Sequence, residues 1–252
     1  MRLENNPNEP ARPWGAPRSD QPTPPTPPAA RRIPLFSILF FVLMLALVGA
    51  RAYRDLSTPQ AWAYWKDQFI SPSLSAAIVT DSSDRRPALA VHGRIGPAAA
   101  GWFRDRIDEA KLGPGDKVVF SSPGGDVDQA IIIGEVIRAR GLTTAVGTYD
   151  TEDRLRPSYC ASACVFAYAG GKVRLGVQGS RLGVHRFTTE GTTGRDAVAD
   201  AQRTTGLILG YMTRMGVSPS LVETMSATDA IRWLDPKQAV EMKLVTDPLQ
   251  MR

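Results

Sequence analysis

Residues Ser158–Gly171 read S-Y-C-A-S-A-C-V-F-A-Y-A-G-G, a run of small and apolar side chains. One serine, Ser162, stands between two alanines where an apolar helix is expected to begin. Its small neighbours would allow the backbone of another chain to approach the hydroxyl closely. A serine at a helix start is also typical of an N-cap, which by itself is the commoner role. The run therefore needs support from other segments before it indicates chemistry.

Two further segments contain residues that would fit a site built around Ser162. Ser121–Asp126 reads S-S-P-G-G-D between an expected strand and an expected helix. Its glycines can turn backbone N–H groups outward at a helix N-terminus, as an oxyanion hole requires. Arg181–Phe187 reads R-L-G-V-H-R-F and carries His185, one of only two histidines, on a strand pattern. Taken singly, an ordinary turn and a buried core histidine are the simpler interpretations.

The order of these segments resembles the proteolytic subunit of the Clp protease and its relatives, including the signal peptide peptidase A family. The resemblance covers about residues 88–247, and Trp233–Asp247 is similar to the family's closing helix and strand. It implies an α/β fold of the Clp protease and crotonase type, a spiral of β-β-α units with a mostly parallel sheet. It also implies site roles for the nucleophile Ser162, the base His185, the oxyanion donors Gly125 and Ala163, and Gly124 as a point of substrate contact.

The third member of the implied triad has no unique position in the alignment. Asp229 is the acidic residue that we select, with Glu223 as the alternative, although an ungapped comparison places a non-acidic residue there. An incomplete triad is compatible with activity because the third group chiefly orients the histidine. It is equally compatible with a weak enzyme or a pseudoenzyme.

Cys160 and Cys164 are the only cysteines, and they flank Ser162. One alternative is a disulfide between them, which an exported domain permits and which would clamp the turn that presents the serine. Two free buried thiols are the alternative, left open by the sequence. With no ligand histidines nearby, the pair does not indicate a metal site, and we expect no metal or cofactor.

The N-terminal region has two parts of contrasting composition. Residues 1–32 are polar and rich in proline, which predicts a disordered tail. Residues 33–50 are uncharged and apolar, and as a helix they would extend roughly 27 Å, close to the thickness of the bilayer core. Arginines are more numerous before this run, so the positive-inside rule predicts a single-pass inner-membrane protein with a cytoplasmic tail and a periplasmic domain. A cleaved signal peptide is the alternative, disfavoured by the long preceding region.

The rest of the chain divides into a spacer and a folded domain. Residues 51–87 are expected to be a juxtamembrane spacer, with Trp62 and Trp65 at the membrane interface. Residues 88–252 alternate strand and helix patterns, which predicts a mostly parallel sheet with helix-covered faces. We expect strands at 88–95, 117–121, 143–146, 173–175 and 181–187, and helices at 98–111, 126–140, 162–169, 196–215 and 236–242. The helix at 196–215 resembles the one by which Clp subunits meet, so we expect a homo-oligomer.

Composition and motifs together limit the range of possible functions. The net charge is +5, but the arginines are scattered with no dense basic run, so no nucleic-acid partner is indicated. The leading hypothesis is a membrane-anchored serine peptidase acting on peptide or protein substrates. The first alternative is a non-catalytic scaffold or binding module of the same fold, favoured by the unplaced acid. The second is an acyl-CoA enzyme of the crotonase fold, disfavoured by an exported location.

Overall fold

The computed structural model describes residues 34–186 and 195–249, in two units that comprise residues 1–51 and 52–252. The expected tail at 1–32 lies outside the described residues, as does Phe187 at the end of an expected strand. Helix α1 (Leu35–Leu56) has no buried residue, and among the described helices it alone is long and apolar enough to cross a membrane. The length and composition of such a helix near the N-terminus fit either a membrane anchor or a signal sequence.

The second unit contains eight further helical segments and eleven strands within the described residues. The remaining helical segments are α2 (Pro59–Trp65), a π-helical turn (Lys66–Ile70), α3 (Ala99–Glu109), α4 (Val127–Ala139), α5 (Cys164–Ala169), α6 (Arg195–Arg214), α7 (Ser220–Ser226) and α8 (Pro236–Glu241). The strands are β1 (Leu74–Thr80), β2 (Pro87–Gly93), β3 (Lys117–Ser121), β4 (Thr143–Val146), β5 (Thr148–Tyr149), β6 (Leu155–Arg156), β7 (Tyr159–Ala161), β8 (Val173–Val177), β9 (Arg181–Val184), β10 (Arg232–Trp233) and β11 (Asp247–Leu249).

The main sheet has six strands in the order β1-β2-β3-β4-β8-β11. Only β1 is antiparallel to its neighbour, and the other four pairings are parallel. A three-stranded sheet, β10-β9-β7, and the β5-β6 hairpin complete the arrangement. The expectation of an α/β fold with a largely parallel sheet is confirmed.

Alternation along the central strands sends side chains to two different cores. Val118 and Phe120 of β3 belong to the large core that includes residues of α3, α4, α5 and α6, whereas Val119 faces the other way. Val119 joins a small cluster that packs against Tyr149 and Leu155 of the β5-β6 hairpin. The expectation that helices cover both faces is therefore not met at that cluster, because a hairpin takes the place of a helix.

Strand β1 lies inside the segment that the sequence assigned to a spacer. It pairs with the whole length of β2, from Leu74 opposite Gly93 to Thr80 opposite Pro87. Of its residues only Leu74 is buried, and two consecutive alanines blur the alternation that marks a strand. The ordered α/β region thus begins before residue 88. Hydrogen bonding to β2 at the edge of the sheet holds β1 in place, although the sequence of β1 lacks the alternating apolar pattern of a strand.

The three segments singled out in the sequence meet at the carboxyl ends of β3, β7 and β9. The amide of Ser122 donates to the carbonyl of Tyr159, and the amide of Ala161 donates to the carbonyl of Ser122, which ties the end of β3 to β7. Strands β7 and β9 are parallel, with Ala161 opposite Gly183. The residues that follow these two strands are therefore brought side by side.

Candidate active site

Ser162 lies in the sharp turn between β7 and α5 and adopts a φ of +56°. Positive φ is uncommon for a residue other than glycine, and a strand-to-helix turn of this kind exposes a side-chain hydroxyl. The amide of Ser162 donates to the carbonyl of Gly183 at 2.8 Å, and its carbonyl accepts from the amide of Val165 at 3.0 Å. Helix α5 begins two residues later without a side-chain cap, so the N-cap interpretation of Ser162 is wrong.

The hydroxyl of Ser162 and the imidazole of His185 are in hydrogen-bonding contact. Oγ lies 2.7 Å from Nε2, although 23 residues separate the two along the chain. A nucleophile and its base are expected to lie within roughly 3–4 Å of each other without substrate. With a proton on Nδ1, Nε2 is free to accept the hydroxyl proton. The other histidine, His92, lies in β2, where burial lowers its pKa.

The turn at Pro123-Gly124-Gly125 lies against the residues on either side of Ser162. Gly124 and Gly125 have φ values of +96° and +145°, which L side chains rarely adopt. A Cβ built on Gly124 would lie 2.9 Å from the amide nitrogen of Ala163. Within residues 34–186 and 195–249, the amides of Gly125 and Ala163 donate to no protein acceptor. An oxyanion hole is commonly formed by two such backbone N–H groups near the nucleophile.

A disulfide joins Cys160 to Cys164, with their Cα atoms 5.4 Å apart. Cys160 belongs to β7, and Cys164 is the first residue of α5, so the bond links the two ends of the turn that carries Ser162. Both half-cystines are fully buried. Of the two alternatives that the sequence left open, the structure has the disulfide.

Asp229, the selected third member, lies in the loop between α7 and β10. Its Oδ1 is 2.6 Å from Nε of Arg186, and its side chain is 74% exposed. Glu223 lies in the first turn of α7. Among the described residues, the hydroxyl of Ser162 is the one side-chain partner of His185. In this conformation the structure therefore brings the serine and the histidine together but brings neither carboxylate into contact with the ring.

A partly exposed aromatic surface beside the site was missed by the sequence analysis. Trp233 pairs with Gly183, and a Cβ on Gly183 would lie 2.8 Å from the indole ring. The guanidinium carbon of Arg181 lies 4.1 Å from the centre of that ring, and Tyr159 meets it edge-on at 6.2 Å. This surface borders the serine turn because the carbonyl of Gly183 binds the amide of Ser162. A two-residue strand such as β10 leaves no periodic signal that would have revealed it.

No cluster that could hold a metal ion is found in the part of the chain that the structure describes. The candidate site combines the hydroxyl of Ser162, the imidazole of His185 and the backbone N–H groups of Gly125 and Ala163. This is the set of groups that addition to a carbonyl carbon requires.

No family model and no curated relative matches this chain. Among solved structures it is similar to ClpP1 from Listeria monocytogenes, with a TM-score of 0.50 and 17% sequence identity. It is also similar to a single-residue mutant of that protein, with a TM-score of 0.51 and 17% identity. Each comparison covers 66% of this chain and 92% of the other. The chain therefore has a fold like that of ClpP1, which agrees with the α/β fold and largely parallel sheet that the sequence resemblance implies.

Proposed function

We propose that this protein is a membrane-anchored serine peptidase that cleaves peptide bonds with Ser162 and His185. One observation carries the proposal, namely the 2.7 Å contact between Oγ and Nε2. Its setting supports the same interpretation, because the serine occupies a strained turn in a fold of the Clp protease type. The substrate class is peptide or protein, and the chemistry needs no metal or cofactor.

The proposed reaction proceeds through an acyl-enzyme. As Oγ of Ser162 attacks the carbonyl carbon, Nε2 of His185 takes the hydroxyl proton. The N–H groups of Gly125 and Ala163 donate to the developing oxyanion, and Gly124 is the proposed point of contact with the substrate. The imidazolium then protonates the amine nitrogen as the C–N bond breaks. A water molecule repeats the sequence on the ester, which releases the acid and restores the serine.

The proposal treats Ser162 and His185 as the working pair, with Asp229 as the acidic candidate for a third member. A specific observation favours the alternative of a non-catalytic scaffold with this fold. No carboxylate among the described residues contacts the ring of His185, so none of them stabilises an imidazolium there. The two hypotheses differ in one measurable property, the reactivity of the serine hydroxyl.

The proposal also covers location and assembly. Helix α1 is the single anchor, with the N-terminus in the cytoplasm and the domain after residue 51 in the periplasm, on the strength of the arginine excess before residue 33. The β-β-α spiral of the Clp family is the proposed architecture of the domain. We further propose a homo-oligomer formed through α6, on which Leu207 and Leu209 remain exposed in the single chain.

A fluorophosphonate probe tests the proposal directly, because it phosphonylates a serine only when that serine is activated. The purified chain should be labelled at Ser162, and both Ser162→Ala and His185→Ala should abolish labelling while circular dichroism is unchanged. The matched control His92→Ala replaces the histidine that lies outside the site and should label as the parent chain does. Absence of labelling in the folded parent chain would support the scaffold.

A further inference from the structure

An exposed apolar surface lies at the beginning of the second unit, on α2 and the π-helical turn. We call these twelve residues, 59–70, the aromatic platform. Trp62 is 60% exposed, Phe69 67% and Ile70 64%, and Tyr64 and Trp65 are also exposed. The ring of Trp65 stacks on that of Phe69 at 5.0 Å and meets that of Tyr64 edge-on at 6.1 Å. A contiguous apolar patch of this kind marks a surface that contacts something other than water.

The platform is an ordered part of the α/β domain, because the buried side chain of Asp67 ties it there. Oδ1 of Asp67 accepts from the amide of Ser73 at 2.8 Å and from its hydroxyl at 2.5 Å. Oδ2 accepts from the amide of Ala98 at 3.0 Å, directly before α3. A Cβ at Gly96 would lie 2.3 Å from Oδ2, so a glycine is needed to admit the carboxylate. The aromatic side chains are therefore held outward by a fixed backbone and not by a loose linker.

The position of the platform in the chain indicates what covers it. Helix α1 ends at Leu56, and the platform begins at Pro59. If α1 crosses a bilayer, so short a connection keeps the platform close to the headgroups. Tryptophan and tyrosine are the side chains that collect at that depth, because their rings are apolar and carry one polar atom.

The charges of the platform fit the same surface. Between Leu56 and Thr80 the only charged residues are Lys66 and Asp67, and Asp67 is buried. The exposed charge is thus the ammonium of Lys66, which anionic headgroups attract. Within residues 56–80 no exposed carboxylate opposes contact with a negatively charged leaflet.

We propose that the aromatic platform rests in the headgroup region of the bilayer that α1 crosses. The platform then contacts the membrane in addition to the covalent connection that α1 provides. This inference rests on the anchoring part of the proposed function and is independent of the catalytic part. The competing occupant is the platform of a second copy of the chain.

Quenching of tryptophan fluorescence by brominated lipid tests this inference in the full-length chain. The chain is reconstituted in phosphatidylethanolamine–phosphatidylglycerol vesicles containing a lipid brominated near the headgroup end of its acyl chains. The five tryptophans include none in α1, and Trp14→Phe removes the one that precedes it. We expect quenching in this background, loss of that quenching in W62F/W65F, and its retention in the reciprocal variant W102F/W233F.

The outcomes separate failure of the platform from failure of the anchor. A chain that floats with the vesicles but shows no quenching at Trp62 and Trp65 would overturn the platform while leaving the anchor intact. Quenching that appears only at low protein-to-lipid ratio, with chemical cross-links through Lys66 at high ratio, would assign the surface to a second copy instead. A chain that does not float would overturn both proposals.

Discussion

Gly124 packs directly against Ser162 across the gap between the glycine turn and β7. A Cβ placed on Gly124 would lie 2.7 Å from the Cβ of Ser162 and 2.5 Å from the carbonyl oxygen of Ala161. These neighbours belong to the serine turn itself, so they cannot move aside without moving the nucleophile. The φ of +96° at Gly124 adds a second reason why only glycine fits. The glycine turn therefore helps to set the position of the serine.

Gly124→Ala should consequently lower the reactivity of Ser162 more than it lowers the stability of the fold. A displacement of the nucleophile by about 1 Å can cost on the order of 10²-fold in rate, and we expect a loss of that size in fluorophosphonate labelling. The matched control is Gly206→Ala in α6, where an added Cβ meets nothing within 4 Å. The control should label normally and gain roughly 0.5–1 kcal/mol of stability. Equal labelling rates for the two variants would contradict the role of Gly124.

Removal of the Cys160–Cys164 disulfide should also act on the serine turn. The bond closes a very short loop, so its entropic contribution to stability is only about 2 kcal/mol. Its larger effect should be local, because β7 and α5 are no longer joined around Ser162. We expect C160A/C164A to remain folded by circular dichroism but to react with the probe more slowly, and dithiothreitol to slow the parent chain to the same rate. If dithiothreitol slows C160A/C164A as much as it slows the parent, its effect does not come from this disulfide.

Much of the central sheet could be predicted from the sequence, for a physical reason. Strands β3 and β4 have the expected bounds, Lys117–Ser121 and Thr143–Val146, because nearly every residue in them is buried and turn-forming residues flank them. The start of α5 was predicted two residues too early, since a left-handed turn at Ser162 has no signature apart from the residue types around it. The segment containing His185 was predicted too long, as β9 ends at Val184.

Features that depend on contacts between distant residues could not be predicted. In the sequence, Asp67 has the appearance of a solvated charge in a spacer. Only the fold shows that its carboxylate accepts hydrogen bonds from the backbone amides of Ser73 and Ala98. The partner of Asp229 was equally hidden, because the ion pair with Arg186 forms between two loops. Local pattern determines which segments are strands and helices, whereas the pairing of charges is decided by which segments become neighbours.

The stability of the chain should fall in acid because of Asp81. Burial raises the pKa of this carboxyl, but hydrogen bonds from Lys117, Ser83 and Tyr149 outweigh burial and lower the pKa to about 2. A depressed pKa means that the stabilisation is fully present above the unfolded value of about 4 and is lost as the pH falls toward 2. After allowance for screening by solvent, we expect the loss to be about 1–2 kcal/mol.

Urea unfolding of the detergent-solubilised chain measures this effect. Asp81→Asn should lower the free energy of unfolding near neutral pH and flatten its dependence on pH between about 4 and 2. The control Asp105→Asn replaces an exposed carboxylate on α3 and should keep the parent slope. An unchanged slope in Asp81→Asn would show that other carboxylates govern acid sensitivity.

Arg174 should be among the most sensitive positions for stability. It is 2% exposed, and its guanidinium donates to the carbonyls of Leu244, Gly171, Met215 and Lys243. Arg174→Met removes the guanidinium donors from the carbonyls of Leu244, Gly171 and Lys243, whereas that of Met215 keeps its bond from Arg138, and we expect the loss to cost about 3–5 kcal/mol. Arg104→Met, at an exposed position of α3, is the control and should change stability by less than about 0.5 kcal/mol. Thermal unfolding compares the two variants, and similar midpoints would show that water can replace the guanidinium.

Substitution of Asp229 tests whether His185 acts as a base without an acidic partner. The Asp229 carboxylate forms an ion pair with the guanidinium of Arg186 and is largely exposed. Among the described residues, no carboxylate therefore contacts the ring of the histidine that is hydrogen-bonded to Ser162. Loss of a true third member lowers turnover by about 10⁴-fold, because the histidine then adopts the wrong tautomer. We expect Asp229→Asn to reduce probe labelling of Ser162 far less than this, and Glu223→Gln to serve as the matched acidic control. Arg186→Gln, which removes the ion pair, should likewise leave labelling close to that of the parent chain. A loss near 10⁴-fold in Asp229→Asn alone would show that the carboxylate leaves Arg186 and orients His185 in the reacting state.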